Sequence, residues 1–119
     1  MAVSLATPPT AEVLRTRYQA RLPASLDELV GPSHGTAHLP LHIAWSGRTV
    51  FDLEKPKQRM SVYRTVLVEG QRDDLMVLLN KDLLTAQWPF LRNLVSRTIR
   101  EVWESAFTEL AAVRPATTT

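Results

Sequence analysis

Across residues 57–110, apolar side chains recur every three or four positions, which is the spacing of one face of an α-helix. The first stripe consists of Met60, Tyr63, Val66 and Leu67. It ends before Gly70, a residue type that commonly follows the last turn of a helix. A second helix is predicted over about residues 72–86. A third is predicted over about residues 89–110, because Pro89 fits the first turn of a helix. The sequence thus predicts a three-helix C-terminal core.

Two shorter helices are predicted in the N-terminal part of the chain. Thr10 is a favourable N-cap for a helix over about residues 11–20. Ser25 and Glu28 have the spacing of a capping box, in which a hydroxyl and a carboxylate satisfy free backbone amides. The helix that follows Ser25 must be short, because Gly31-Pro32 stops it.

The apolar period changes from helical to alternating between residues 39 and 53. The alternating apolar residues of the first half are Leu41, Ile43 and Trp45. Ser46-Gly47 supplies a two-residue turn, so the chain is predicted to return as a second strand. In this register Ile43 faces Val50.

Together these elements predict a mainly helical α+β fold, with about five helices and one small β-hairpin at residues 39–53. A chain of 119 residues has the size of a single domain. We expect that domain to cover residues 10–110, with flexible tails at residues 1–9 and 111–119.

The composition excludes several classes of protein. There is no cysteine, so disulfide scaffolds, thiolate metal sites and cysteine nucleophiles are excluded. No stretch approaches the roughly 18 apolar residues of a membrane helix, and residues 1–10 lack the basic start of a secretory signal. The expected location is therefore the cytosol, without a membrane partner. The net charge of +2 is too small to indicate a nucleic-acid partner by itself.

No combination of residues has a catalytic pattern. The four glycines are isolated, which excludes a glycine-rich phosphate loop. Asp73-Asp74 is explained by the preference for negative charge in the first turn of a helix. We therefore expect a protein that is not an enzyme and that uses no cofactor.

Three histidines, His34, His38 and His42, are spaced four residues apart. On one continuous helix this spacing would align three metal ligands, but Gly35 and Pro40 make such a helix implausible. Loop histidines without a metal are the preferred interpretation. A metal protein built around them remains a weaker alternative.

The predicted helix over residues 72–86 has two apolar faces. Its core stripe consists of Leu75, Met76, Leu79, Leu83 and Ala86. A second stripe carries Val77, Lys81, Leu84 and, if the helix extends, Trp88. A helix with two apolar faces is either central in its fold or half-covered by a partner. The second alternative predicts a partner-binding surface that consists of Trp45, Val77, Lys81, Leu84 and Trp88.

A basic patch between the hairpin and the next helix consists of Lys55, Lys57, Arg59 and Arg64. It is either a solvated helix start or an edge that contacts nucleic-acid phosphates. In the last helix, Arg97 with Glu101 and Arg100 with Glu104 have the i,i+4 spacing of ion pairs, which predicts a self-neutralised, solvated face.

Several short motifs resemble parts of small uncharacterised actinobacterial proteins over about residues 38–110. The motifs are Leu39-Pro40-Leu41-His42, Trp45-Ser46-Gly47, Glu69-Gly70-Gln71-Arg72-Asp73-Asp74, Trp88-Pro89 and Val102-Trp103-Glu104. Such proteins occur beside nucleotidyltransferase-type toxin genes. The resemblance implies an accessory or antitoxin-like partner protein, and it assigns a chemical role to none of these residues.

The sequence therefore favours a non-enzymatic accessory or regulatory subunit, antitoxin-like or an adaptor, that acts through protein–protein contact. Its expected partner is another protein, encoded by a neighbouring gene, or a second copy in a homodimer. The alternative is a nucleic-acid-binding transcriptional regulator that uses the basic patch at residues 55–64.

Overall fold

A computed structural model describes residues 10–44 and 48–112 of the chain. The predicted tail at residues 1–9 lies outside the described residues, and so do Trp45 and the predicted turn at Ser46-Gly47. The second predicted tail begins inside a helix, because Ala111 and Ala112 belong to the last helical turn. The remainder of that tail, residues 113–119, also lies outside the described part.

The described residues form six α-helices, a short 3₁₀ helix and two strands. In chain order these are α1 (Thr10–Arg21), the 3₁₀ helix (Leu26–Glu28), β1 (Thr36–His38), β2 (Val50–Asp52), α2 (Pro56–Glu69), α3 (Arg72–Leu78), α4 (Lys81–Leu91), α5 (Arg97–Ala106) and α6 (Thr108–Ala112). The predicted fold class, mainly helical with one small antiparallel sheet, is confirmed. No helix among the described residues is long and apolar enough to cross a membrane.

One hydrophobic core connects the elements. Helix α2 contributes Val62, Tyr63 and Val66, and α4 contributes Leu84, Trp88 and Leu91. Helix α1 packs on α5, α2 packs on α4, and α6 closes the core against α4 and α5. Each fully buried large apolar side chain contributes about 1.5–3 kcal/mol, so the core supplies most of the stabilising free energy.

The two strands pair in a different register from the predicted one. His38 lies opposite Val50, and the ladder extends through a backbone bond of 2.7 Å from Leu39 N to Thr49 O. The predicted pairing of Ile43 with Val50 is wrong. Residues 41–44 instead form a turn, in which Ile43 N donates to Pro40 O at 2.9 Å. Ile43 enters the core from this turn, which explains its apolar character without a strand.

The helix predicted over residues 72–86 is divided in two at Asn80. The Asn80 side chain caps α4 by accepting from Asp82 N at 3.0 Å and Leu83 N at 3.2 Å. Its backbone N–H donates to the Tyr63 hydroxyl at 2.9 Å, and its amide Nδ2 donates to Gly31 O at 3.2 Å. These bonds stabilise the break more than the backbone bonds of one continuous helix would. The prediction of a single helix is therefore wrong.

The predicted start of the last helix, which was expected over residues 89–110, is also wrong. Pro89 lies inside α4, and a turn follows that helix before α5 begins. Ser96 is the N-cap of α5, and its hydroxyl accepts from Ile99 N at 3.2 Å. An N-cap hydroxyl of this kind stabilises a helix start by about 1 kcal/mol, which fixes the boundary at Ser96 rather than at Pro89.

Candidate functional site

The predicted partner-binding surface is not assembled on one face of the molecule. Leu84 and Trp88 are both 0% exposed and belong to the core. Val77 is exposed, and Lys81 forms an ion pair of 2.8 Å with Asp27. Trp45 lies outside the described residues. The prediction that Leu84 and Trp88 share a surface stripe with Val77 is therefore wrong, because the break at Asn80 turns α4 inward.

Val77 belongs to a small apolar surface that the sequence did not predict as a unit. Val30 N donates to Met76 O at 2.9 Å, and Gly31 N donates to Leu79 O at 2.8 Å, so this loop lies along the end of α3. Val30 is 71% exposed and Val77 is 59% exposed. We call Val30, Met76 and Val77 the Val30 surface. No local periodicity marks Val30, since its place is set by a long-range backbone contact.

The predicted nucleic-acid patch is only partly presented to solvent. Arg59 donates through one terminal guanidinium nitrogen to Leu53 O at 3.0 Å, and its Nε is buried. This arginine holds the loop after β2 against α2. Lys55, Lys57 and Arg64 are exposed. The four predicted basic residues therefore do not form one fully exposed row.

Two of these exposed cations line an open groove between α2 and the turn that follows α4. The groove is lined by Lys57, Met60, Ser61, Arg64, Asn93 and Leu94. We call these six residues the α2 groove. No Asp or Glu is among the described residues that line it. Arg64 Nε donates to Leu94 O at 3.3 Å, which joins the two sides.

Helical geometry and a tight turn place these side chains. On α2, Lys57, Ser61 and Arg64 are separated by four and three residues, so they share one outward face. After α4, Asn93 N donates to Phe90 O at 3.1 Å, and Leu94 N donates to Leu91 O at 2.9 Å. This winding brings Leu94 to the surface beside α2. The sequence predicted the cations but missed Leu94, which appears in no apolar stripe.

An ionic cluster under the turn fixes its position. Arg92 Nε donates to Glu104 Oε2 at 2.7 Å, and the same oxygen accepts from Trp88 Nε1 at 2.8 Å. The hydrogen bond from Arg92 is the main reason why the pKa of Glu104 lies below its usual value. The predicted Arg100–Glu104 pair is thus replaced by Arg92–Glu104, because Arg92 approaches from the preceding turn. The predicted pair Arg97–Glu101 is present at 3.0 Å.

The three histidines have separate surroundings. His34 Nδ1 lies 3.6 Å from Glu54, and His42 Nε2 lies 2.7 Å from Asp74. His38 is exposed on β1. Within residues 10–44 and 48–112, no group of three or more His, Asp or Glu side chains is placed to hold a metal ion. The structure therefore does not bring the three histidines together.

Comparisons with known proteins do not add a functional assignment. No protein-family model, no curated protein and no solved structure matches the chain.

Proposed function

We propose that this chain is a non-enzymatic accessory or regulatory protein of the cytosol, which acts by contacting another protein through the α2 groove. The observation that carries the proposal is the placement of two apolar side chains, Met60 and Leu94, in the same groove as Lys57 and Arg64. Leu94 is 48% exposed. Exposed apolar side chains rimmed by polar residues mark contact sites, and Met and Arg are enriched in protein–protein interfaces.

The apolar part of the groove favours a protein partner over a nucleic acid. Non-specific binding to nucleic acid rests on contacts between cationic side chains and phosphates. A DNA-binding protein makes about 6–10 such contacts. The α2 groove offers two cations, and Arg59 is engaged with the backbone of Leu53. Met60 and Leu94 have no flat ring on which a base stacks, whereas they do accept an apolar side chain.

The proposed role agrees with the antitoxin-like resemblance, in which the partner is the product of a neighbouring gene. A second copy of this chain is the competing occupant. A self-contact would make the chain a homodimer and would remove the need for a separate partner.

Site-specific photo-cross-linking in the native host tests the proposal. A photoreactive amino acid replaces Leu94 in one variant and Val13 in the control, which is 49% exposed and lies on α1. We expect one protein adduct at position 94, absent at position 13 and lost when Arg64→Glu is added. A nucleic-acid adduct, an adduct with the mass of two copies of this chain, or equal labelling at both positions would overturn the proposal.

A further inference from the structure

We propose that the occupant of the α2 groove is an acidic segment of the partner, whose carboxylates flank one apolar anchor side chain. This inference rests on the proposed function and adds the chemistry of the partner. It is carried by the charge of the groove, by its apolar floor and by the spacing of its two cations.

The charge of the groove selects an anionic partner. Lys57 and Arg64 line it, and no carboxylate among the described lining residues neutralises them. Other cations of the chain do have carboxylate partners, such as Arg92 with Glu104 and Arg97 with Glu101. A groove that keeps two cations without a carboxylate therefore favours a negatively charged occupant and disfavours a basic one.

The spacing of the cations matches a short peptide segment. Lys57 and Arg64 are seven residues apart on α2, which corresponds to about 10 Å along the helix axis. An extended chain covers this distance in about three residues, and a helix covers it in about seven. On a helix, carboxylates seven residues apart lie on one face and can reach both Lys57 and Arg64. In an extended segment, side chains three residues apart point to opposite faces, so the two carboxylates must be two or four residues apart, and the long Lys57 and Arg64 side chains accommodate the difference. The residues between them then lie over the apolar part of the groove.

The apolar part supplies the anchor position. Met60 and Leu94 line the groove, and Phe90, which is 66% exposed, lies one turn before Leu94. Methionine adapts its shape to different apolar groups, which suits a site that accepts one inserted side chain. An occupant with charge alone would leave these apolar groups in water. An apolar occupant without charge would leave Lys57 and Arg64 without counter-ions.

A hydrogen bond holds the Arg64 guanidinium beside Leu94, where it can bind a carboxylate of the occupant. It donates through Nε to Leu94 O, and a guanidinium has further N–H donors in a planar fork. A carboxylate that binds these donors is held at a fixed angle beside Leu94. The same bond positions the charge and the apolar anchor site relative to each other.

Selection from a random peptide library tests the inference. The library is displayed and selected on the wild-type chain, with removal of peptides that also bind the double variant Arg64→Gln/Leu94→Ser. We expect the selected peptides to carry two or more Asp or Glu residues around one aliphatic or aromatic residue. For the best peptide, Arg64→Glu is expected to weaken binding about tenfold or more. Raising the salt concentration from about 50 mM to about 300 mM is expected to weaken the binding of the same peptide to the wild-type chain several-fold. The control Arg17→Glu, at an exposed position on α1, is expected to change the affinity by less than about twofold.

Other results of the selection would overturn this inference, and one of them would also bear on the proposed function. Selected peptides that are apolar but not acidic, and that still require Leu94, would overturn this inference and leave the proposed protein contact intact. A failure to recover peptides that require Arg64 or Leu94 would also overturn the inference. If cross-linking at position 94 then yields no protein adduct, the proposed function fails as well. A single-stranded oligonucleotide that binds more tightly than any peptide, and does so unchanged in Leu94→Ser, would identify a nucleic-acid site instead.

Discussion

Arg92 and Glu104 join the turn after α4 to the side of α5, with 2.7 Å between Arg92 Nε and Glu104 Oε2. The same carboxylate accepts the indole N–H of the buried Trp88. The turn that this pair holds in place carries Leu94, one wall of the α2 groove. The ionic cluster is thus a structural support of the candidate contact site.

Removal of the Glu104 charge is expected to destabilise the fold. Glu104→Gln weakens the bonds to Arg92 and to Trp88, and the half-buried position makes the loss larger than that of a surface pair. We expect the free energy of unfolding to fall by about 1–2 kcal/mol, measured by urea denaturation. The control Glu69→Gln, at an exposed position on α2, is expected to change it by less than about 0.5 kcal/mol. Equal effects of the two substitutions would contradict a role of the Arg92–Glu104 pair.

Acid is expected to weaken the fold through two carboxylates. The pKa of Glu104 is lowered chiefly by Arg92, and the pKa of Glu101 is lowered by hydrogen bonds from Arg15 and then Arg97. A carboxyl with a lowered pKa in the folded state stabilises the fold above the ordinary glutamate value of 4.5. That contribution is lost as the pH falls through the folded-state pKa.

Urea denaturation at a series of pH values between neutrality and the acid range measures this effect. We expect the stability of the wild-type chain to decrease below about pH 5, and that of Glu101→Gln/Glu104→Gln to decrease less steeply. Parallel curves for the two proteins would show that other carboxyl groups cause the acid sensitivity.

Tyr63 is expected to resist ionisation. Burial raises the pKa of its hydroxyl to about 12, against the ordinary value of 10.0. Because the folded-state pKa is raised, its stabilising contribution is complete below pH 10 and is lost as the pH rises towards 12. In Tyr18→Phe, where Tyr63 is the remaining tyrosine, the tyrosinate absorbance should appear only near pH 12 and together with loss of helical circular dichroism. A titration near pH 10 in a folded chain would be inconsistent with a buried Tyr63 hydroxyl.

Asn80 is expected to be essential for the division between α3 and α4. Asn80→Ala removes the cap of α4 and the bond to Gly31 O, so we expect a loss of about 1–2 kcal/mol in the free energy of unfolding. Asn80→Asp retains a capping oxygen, and its negative charge is favourable at the N-terminus of α4, although a carboxylate oxygen then faces Gly31 O in place of the amide donor. It should therefore be the milder substitution in thermal or urea denaturation. A larger loss for Asp than for Ala would mean that capping is not the main role of Asn80.

The sequence predicted the helical class well but not the boundaries of the helices. Apolar stripes identified α2 and the buried face of α5, because a stripe reports which face is buried. In the stripe predicted for residues 72–86, Leu75 and Leu79 are buried, whereas Met76 is only partly buried and Ala86 is exposed. The breaks at Asn80 and Ser96 depend on capping bonds, and the Asn80 bonds also involve Tyr63 and Gly31, which lie far away in the sequence. The predicted strand register was wrong because Ile43 N and Ala44 N donate to Pro40 O, so that a turn forms where a strand was expected.

The candidate site was predicted in part. Lys57 and Arg64 belong to the basic patch, which a run of cations before and within α2 makes visible in the sequence. Leu94 was missed, since it is 30 residues from Arg64 and reaches it only through the turn after α4. The apolar half of the α2 groove is therefore a property of the packed structure and not of a local sequence pattern.

Two methionines allow the proposed contact through the α2 groove to be tested within one molecule. Met60 lines the α2 groove, whereas Met76 belongs to the Val30 surface, and both are partly exposed. Oxidative footprinting compares their oxidation rates in the purified chain with the rates in a gently prepared lysate of the native host. Because the lysate consumes part of the oxidant, the ratio of the two rates within one sample is compared. We expect the oxidation of Met60 to slow relative to that of Met76 in the lysate. An unchanged ratio would contradict a contact at the α2 groove, and slower oxidation of Met76 relative to Met60 would place the contact on the Val30 surface instead.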